Sequence, residues 1–361
     1  MSAENLLPDE QQRWRLEVGD SLQILAELAS RSIDAIVTDP PYGIGLRGAT
    51  WDGPDLRAAV KARGDAAGLF EAEMFERWTT AWAAECLRVL KPGGHLLAFG
   101  APRMVHRLAA GVEDAGFELR DQLVWLYGSG VPKSRSYNGR SSTLKPGYEP
   151  IVLARAPFVG TLAANETRWG TGLLGIDEGR LPARDGTTNG RWPCNVTLSH
   201  QQRCASKRCT PNCPVALLDR APRGDRPSRF FYCAKASRRE REAGCDLLPA
   251  QMISIFGDSA RRPRRNTHPT VKPVELMTWL VRLVCPPGGI VLDPFAGSAS
   301  TGIAALDEGR RFLGIERDPD YAVIARARLT HAVDGRPVSG TPNRGSARRT
   351  SIHTLTRRNE P

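Results

Sequence analysis

Apolar positions recur along this chain in two periods, and both ends keep that rhythm while the middle loses it. Trp14-Arg15-Leu16-Glu17-Val18 reads as a strand and Ser21 to Ala29 as a short helix. Ala35-Ile36-Val37-Thr38 is an apolar run halted by Asp39-Pro40-Pro41, the pattern of a buried strand stopped by proline. Residues 43–68 are glycine-rich and irregular, which predicts a mobile loop. Phe75, Trp78, Trp82, Cys86, Val89 and Leu90 then recur at helical spacing as far as Lys91-Pro92-Gly93-Gly94. His95 to Phe99 predicts another buried strand. A helix over 103–115, a long strand from Phe117 to Tyr127 and a strand from Ile151 to Ala154 follow. From 156 to 265 Gly, Pro, Arg and Cys replace the periodicity. It returns with a helix over 273–284, a strand at Ile290-Val291-Leu292, a helix after Gly297 and a strand from Phe312 to Ile315 that ends at Glu316. Asp318 caps a last helix and Pro319 suits its first turn. Beyond Val333 the Gly/Arg/Ser/Thr content predicts a disordered tail.

Alternating strands and helices predict an α/β fold with a mostly parallel, doubly wound sheet. Ligands of such sheets bind beyond the carboxyl ends of the strands. Those ends carry Asp20, Asp39-Pro40-Pro41-Tyr42, Asp293-Pro294-Phe295-Ala296-Gly297 and Glu316.

Composition narrows the class. With 361 residues, 41% of them apolar, the chain can bury a core, which excludes wholesale disorder. No apolar run reaches the ~18 residues of a membrane span, and Met1 to Asn5 lack the features of a signal peptide. A cytoplasmic protein is expected, without a membrane partner, and its eight cysteines are expected to be thiols or metal ligands. Net charge is +11 and is concentrated: residues 186–265 hold sixteen Lys/Arg against six Asp/Glu, and 333–361 hold six Arg against Asp334 and Glu360. A basic segment on a near-neutral body suits a polyanion-binding module on an enzyme; charge alone leaves a solvated loop equally open. Trp169, Trp192, Phe230, Phe231 and Tyr232 interleave with Arg220, Arg223, Arg226, Arg229, Lys235, Arg238 and Arg239, a mixture fit for phosphate contact and stacking. Phe230-Phe231-Tyr232 also reads as a strand packed on the main sheet.

Two segments carry chemistry. Val291 to Gly302 runs from a strand through a small-residue turn into a helix, so backbone N–H groups and the helix dipole can approach a ligand closely. Glu316, at the end of the next strand, can accept both ribose hydroxyls of an adenosine-containing cofactor. Asp39-Pro40-Pro41-Tyr42 suits attack by the exocyclic amino group of a base. That nitrogen is a poor nucleophile because its lone pair is delocalised into the ring. Asp39 and the carbonyl of Pro40 can accept its two hydrogens and draw it toward sp³ geometry, while the prolines hold the acceptors still. Tyr42 offers a face on which a flipped base can stack.

These segments, with His268-Pro269-Thr270-Val271-Lys272-Pro273 ahead of the glycine turn, resemble the permuted beta group of DNA amino-methyltransferases over 13–155 and 266–332. The resemblance implies a Rossmann-like, circularly permuted, seven-stranded methyltransferase sheet with S-adenosyl-L-methionine over the strand ends. It implies a catalytic half at 13–155, a basic target-recognition insert at 156–265, a cofactor half at 266–332 and a tail at 333–361. Asp39, Pro40, Pro41 and Tyr42 would hold the base. Asp293, Phe295 and Gly297, with Ser298 beside them, would line the methionine part, Glu316 the ribose and Asp20 the adenine. Thr270 and Lys272 would close over the amino-acid end. The partner implied is double-stranded DNA with the target base flipped out, and a cognate restriction nuclease is admitted. The family's glycine turn commonly carries a further glycine where this chain has Ala299. Adenine N6 is favoured because Asp39, rather than serine, heads the motif. Cytosine N4 stays open, as does an inactive methyltransferase-like DNA-binding protein.

Trp192-Pro193-Cys194-Asn195 raises the rival of a Pro-Cys nucleophile attacking cytosine carbon 5. Its place inside the basic segment, and the idle Asp39 and Tyr42 it would leave, argue against that rival. His200, Cys204, Cys209 and Cys213 form a candidate structural zinc set, although their spacings depart from a Cys-x-x-Cys pair and unligated thiols stay open.

Overall fold

The computed structural model describes residues 6–45, 50–62, 71–127, 137–142, 144–181, 190–200, 204, 209–210, 213–220, 228, 231–235, 238–253 and 262–334. The chain opens with β1 (Trp14–Val18), α1 (Ser21–Glu27) and β2 (Ile33–Thr38). Next come α2 (Pro54–Ala62), α3 (Glu71–Val89), β3 (Leu90–Phe99), α4 (Val105–Asp114), β4 (Glu118–Leu126) and β5 (Tyr148–Arg155). The middle supplies α5 (Leu162–Trp169), α6 (Ile176–Gly179), β6 (Val196–His200), α7 (Pro214–Leu218), β7 (Tyr232–Lys235) and α8 (Arg238–Glu242). A small antiparallel pair, β8 (Gln251–Ile253) and β9 (Arg262–Arg264), precedes α9 (Val274–Val284). The chain ends with β10 (Ile290–Asp293), α10 (Ser300–Asp307), β11 (Arg311–Glu316) and α11 (Pro319–Val333).

One sheet of nine strands runs in the order β1-β11-β10-β2-β3-β5-β4-β6-β7. Every described pairing in it is parallel except those of β5, which is antiparallel to both β3 and β4. The fold is thus the expected α/β, Rossmann-like sheet, but with nine strands rather than seven. The difference comes from the basic middle segment. β6 pairs with β4 and β7 with β6, covering an edge that would otherwise present unpaired N–H and C=O groups. Tyr232 belongs to β7; Phe231 lies just ahead of it and Phe230 is outside the described residues.

β2 is buried at all six positions because helices cover both of its faces. Ala35 and Val37 pack with α9 and α10, whereas Ile33 and Ile36 pack with α1 and α3. The loop expected over 43–68 contains α2, which opens on Pro54 and Asp55 and buries Leu56 and Val60. Residues 46–49 and 63–70 of that stretch lie outside the described residues, as does the tail from 335. Asp318 caps α11 as expected, accepting from the N–H groups of Asp320 and Tyr321. Among the described residues no helix is long and apolar enough to cross a membrane.

This topology decides which residues meet. β1, β2, β10 and β11 deliver Asp20, Asp39, Asp293 and Glu316 to one edge of the sheet. β5 runs the other way, so its beginning, with Glu149, arrives at that same edge beside the end of β3.

Candidate functional site

Asp39 follows the last residue of β2 and holds two partners. Its Oδ1 accepts from the Tyr42 hydroxyl at 2.7 Å, and its Oδ2 lies 2.8 Å from Lys272 Nζ. Lys272 also reaches Glu149 Oε2 at 3.0 Å and donates to the Tyr42 hydroxyl at 3.1 Å. Glu149 lies 3.1 Å from that hydroxyl and accepts from Tyr127 at 3.4 Å. The Lys272 ammonium also sits over the Phe99 and Tyr42 rings, 4.8 and 5.5 Å from their centroids. Backbone N–H groups of Tyr42 and Gly43 donate to buried Asp52 at 2.6 and 2.8 Å, which fixes the turn after the prolines.

Two carboxylates share one ammonium here. Burial pushes Asp39 upward, Lys272 pulls it back and Glu149 adds to the rise, so Asp39 stays above the ordinary carboxylate value. Burial opposes the charge on Lys272, but Asp39 and Glu149 outweigh it and hold the ammonium above its usual value. Burial, then the two carboxylates, drives the Tyr42 phenol well upward, so it remains neutral.

The second half of the site hangs on Asp293 and Glu316. Asp293 is buried and accepts from Thr38 and Thr301 hydroxyls, both at 2.7 Å, and from the Phe295 N–H at 3.1 Å. These bonds lock the start of the glycine turn to β2 and α10. Burial raises Asp293 to about 6. Glu316 accepts from the Gly297 N–H at 2.6 Å and from the Asp318 N–H at 2.8 Å, one on each oxygen. Each oxygen keeps a further lone pair. Burial raises Glu316 to about 7.

Gly297 has φ +53°, and a Cβ there would lie 2.7 Å from Nε2 of His268, whose half-buried ring lies against the turn. Gly297→Ala is expected to cost about 1–3 kcal/mol of stability, read as a lower denaturation midpoint. Ala299, also left-handed at φ +58°, is fully buried at the N-cap of α10.

A single cleft of about 810 Å³ connects both halves. It is lined by Asp39, Pro40, Pro41, Tyr42, Asp20, Thr270, Lys272, Asp293, Phe295, Gly297, Ser298 and Glu316, so every residue expected at the base and cofactor positions meets there. Asp20 also caps α1 through Oδ1, receiving the N–H groups of Leu22 and Gln23. Glu149, Asp52, Tyr127, Trp78 and Trp82 line the same cleft without having been singled out from the sequence as site residues. Phe295 packs between the two tryptophans of α3, at 5.4 and 5.6 Å between ring centroids. Cys194 lies ahead of β6, hydrogen-bonded to the Val196 carbonyl at 3.3 Å and away from the cleft, which removes the cytosine-carbon-5 rival. His200, Cys204, Cys209 and Cys213 form a separate cluster with ligand atoms within 4.8 Å of one another.

The chain matches the family model described as DNA methylase, for N6 and N4 methyltransferases, over residues 33–327. It is 26% identical over 311 residues to the DNA adenine methyltransferase YhdJ of Escherichia coli K12, with 86% of this chain and 81% of that protein covered. Type II methyltransferase M.HindIII of Haemophilus influenzae is 25% identical over 348 residues, covering 86% of this chain and 93% of that protein. The solved PvuII DNA methyltransferase, described as cytosine-N4-specific, shares the fold. Its TM-score is 0.53 at 19% identity, with 89% of this chain and 90% of that chain covered.

Proposed function

Because the chain belongs to the family of DNA methylases that modify N6 of adenine or N4 of cytosine, we propose that its substrate is adenine N6 at a specific site in double-stranded DNA. The observation that carries this reading is the carboxylate of Asp39 at a strand end, braced by Lys272 and Tyr42 in a cleft that continues to Glu316. Asp39 at the head of the motif and the likeness to an adenine methyltransferase favour adenine over cytosine.

S-adenosyl-L-methionine fits the residues of the second half. The free lone pairs of Glu316 face the cleft as paired acceptors for vicinal hydroxyls, and Asp20 and Asp293 border the same space. When bound, this cofactor supplies an electrophilic methyl group on a sulfonium. Glu316, Asp20, Asp293, Phe295, Gly297 and Ser298 would hold it, with Thr270 and Lys272 closing its amino-acid end.

The remaining work falls to this chain's own side chains. Asp39 and the carbonyl of Pro40 accept the two hydrogens of the target amino group, and the prolines keep both acceptors preorganised. Without DNA, Asp39 is occupied by Tyr42 and Lys272. Glu149 lies within reach of both donors, so it can take them over as the base arrives. Tyr42 is then free to stack on the base once it has left the duplex. In this reading residues 156–265 form the recognition segment, whose cations meet the phosphates. The base-holding segment precedes the cofactor segment, as the permuted arrangement requires.

Modification-sensitive sequencing of DNA from cells expressing the protein tests the assignment. N6-methyladenine in one recurring sequence supports it, and N4-methylcytosine or unmodified DNA overturns it.

Glu316 adds a pH signature. Below about 7 its carboxyl is protonated and presents a donor toward hydroxyl donors, whereas above that value both oxygens accept. Affinity for S-adenosyl-L-methionine, measured by calorimetry, is expected to rise between roughly pH 6 and 8 and then level off. Glu316→Gln should bind weakly with a flat profile, and a flat wild-type profile would place the ribose elsewhere. In the ligand-free protein the same raised value means that stability falls as pH climbs from the ordinary glutamate range through about 7.

A further inference from the structure

The cysteine-rich cluster lies outside the cleft, and the methyl transfer makes no use of it. His200 ends β6, Cys213 is the N-cap of α7, and Cys204 and Cys209 lie on the connection between them. Sequence spacing alone does not bring four such residues to one point, but here the fold does. One ligand atom from each lies within 4.8 Å of all the others. Sγ of Cys209 and Sγ of Cys213 are 3.3 and 3.5 Å from Nδ1 of His200. A tetrahedral zinc with bonds of ~2.3 Å to sulfur and ~2.0–2.1 Å to nitrogen has a sulfur-to-nitrogen edge of about 3.5 Å. The two measured separations match that edge.

We propose that His200, through Nδ1, and Cys204, Cys209 and Cys213 bind one structural Zn²⁺. The donor set suits it: three thiolates and an imidazole around one centre are the ligands of a closed, four-coordinate zinc site. The Thr210 N–H points at Cys204 Sγ from 3.4 Å, a bond of the kind that steadies a thiolate ligand from outside.

The surroundings supply an independent reason. Among the described residues the small core at this end of the sheet has four buried members, Leu198, Val215, Cys204 and Cys213, so half of it is thiol. Such a core is too small to close a polar connection by apolar burial, and metal binding provides folding free energy in its place. Charge points the same way. Three thiolates around a divalent ion leave one net negative charge, set in a segment with sixteen Lys/Arg against six Asp/Glu. None of the four ligands lines the cleft. The ion instead fixes β6, which carries β7, whose Tyr232 stacks on Trp279 at 5.3 Å and donates to the Glu275 carbonyl at 2.8 Å. The metal therefore holds the outer edge of the sheet on which the proposed recognition segment is mounted.

The test uses full-length protein without an affinity tag, purified without chelator from zinc-supplemented minimal medium. Elemental analysis should find about one zinc per chain in the wild type and under about a tenth of that in Cys204→Ser/Cys213→Ser. If that variant does not fold, X-ray absorption at the zinc edge of the wild type still decides. Three sulfurs at ~2.3 Å and one nitrogen at ~2.0–2.1 Å support the site. Zinc-free wild type, an oxygen-rich shell, or a disulfide between any two of these cysteines in the intact mass overturns it. Calorimetry with S-adenosyl-L-methionine on chelator-treated protein should show cofactor affinity unchanged; its loss would overturn the assignment of the metal to the sheet edge alone.

Discussion

Replacing Asp39 by alanine is expected to lower single-turnover methylation by about 10²–10³-fold or more, the loss that follows removal of one preorganised partner of a developing charge. The neutral amino group is too weak an acid for Asp39 to deprotonate it before attack. Its carboxylate accepts a hydrogen bond that strengthens as the nitrogen becomes positive, which is stabilisation of the transition state rather than of the bound substrate. Affinity for S-adenosyl-L-methionine should stay close to wild type, because Glu316 is held by the Gly297 and Asp318 N–H groups and Phe295 by Trp78 and Trp82, none of which bonds to Asp39. Asp39→Asn keeps the shape and one acceptor without the charge, so its rate should fall between alanine and wild type. Glu316→Ala should give the reverse pattern, with weak cofactor binding and activity partly recovered at high cofactor concentration. A near wild-type rate in Asp39→Ala would remove Asp39 from the reaction.

Lys272→Met should be nearly as damaging, by a different route. It leaves the carboxylates of Asp39 and Glu149 facing one another with their shared cation gone. Breaking a buried ion pair by deleting one partner costs about 3–5 kcal/mol. Both acids keep some contact with solvent, at 18% and 19% side-chain exposure, so the lower end of that range is expected. Tm should drop by several degrees, and the deficit should shrink as pH falls and Asp39, already above the ordinary carboxylate value, takes up a proton. Glu149→Gln added to Lys272→Met removes the repulsion and should recover part of the stability. It should recover little of the rate, because the brace on Asp39 stays missing. A double variant no more stable than Lys272→Met would show that the three groups do not act as one unit.

Local chemistry explains which parts of this site were legible from the sequence. Asp39-Pro40-Pro41-Tyr42 and the Phe295–Gly297 turn are contiguous, and each announces itself as a strand that stops in a rigid or a small-residue turn. Glu316 is found by its offset from that turn. Glu149 escaped because it begins a strand rather than ending one. Only the reversal of β5 brings it to the cleft, and strand direction is a property of the whole sheet. Trp78 and Trp82 were visible as a helical apolar stripe, yet the same ring that packs against a core can also wall a cleft through Phe295. α2 was hidden among glycines, since its apolar face amounts to little more than Leu56 and Val60. β6 and β7 are five- and four-residue strands in a segment rich in arginine; β7 left a trace in the Phe230-Phe231-Tyr232 run, whereas β6 has no pattern of its own and rests on the open edge of β4.

The position of β1 has a consequence for how the chain is made. Among the described residues β1 pairs only with β11, Trp14 opposite Phe312 and Val18 opposite Glu316, and β2 takes one of its neighbours from β10. β1 therefore leaves the ribosome roughly 300 residues ahead of its partner β11, and β2, which can pair early with β3, roughly 250 residues ahead of β10. At about 5–20 residues per second that delay is on the order of tens of seconds. Through that time β2, apolar on both faces, has one bare edge of N–H and C=O groups, a template for pairing with another chain. A message truncated before the codon for Ile290 thus yields a species for chaperones and proteases rather than a smaller enzyme.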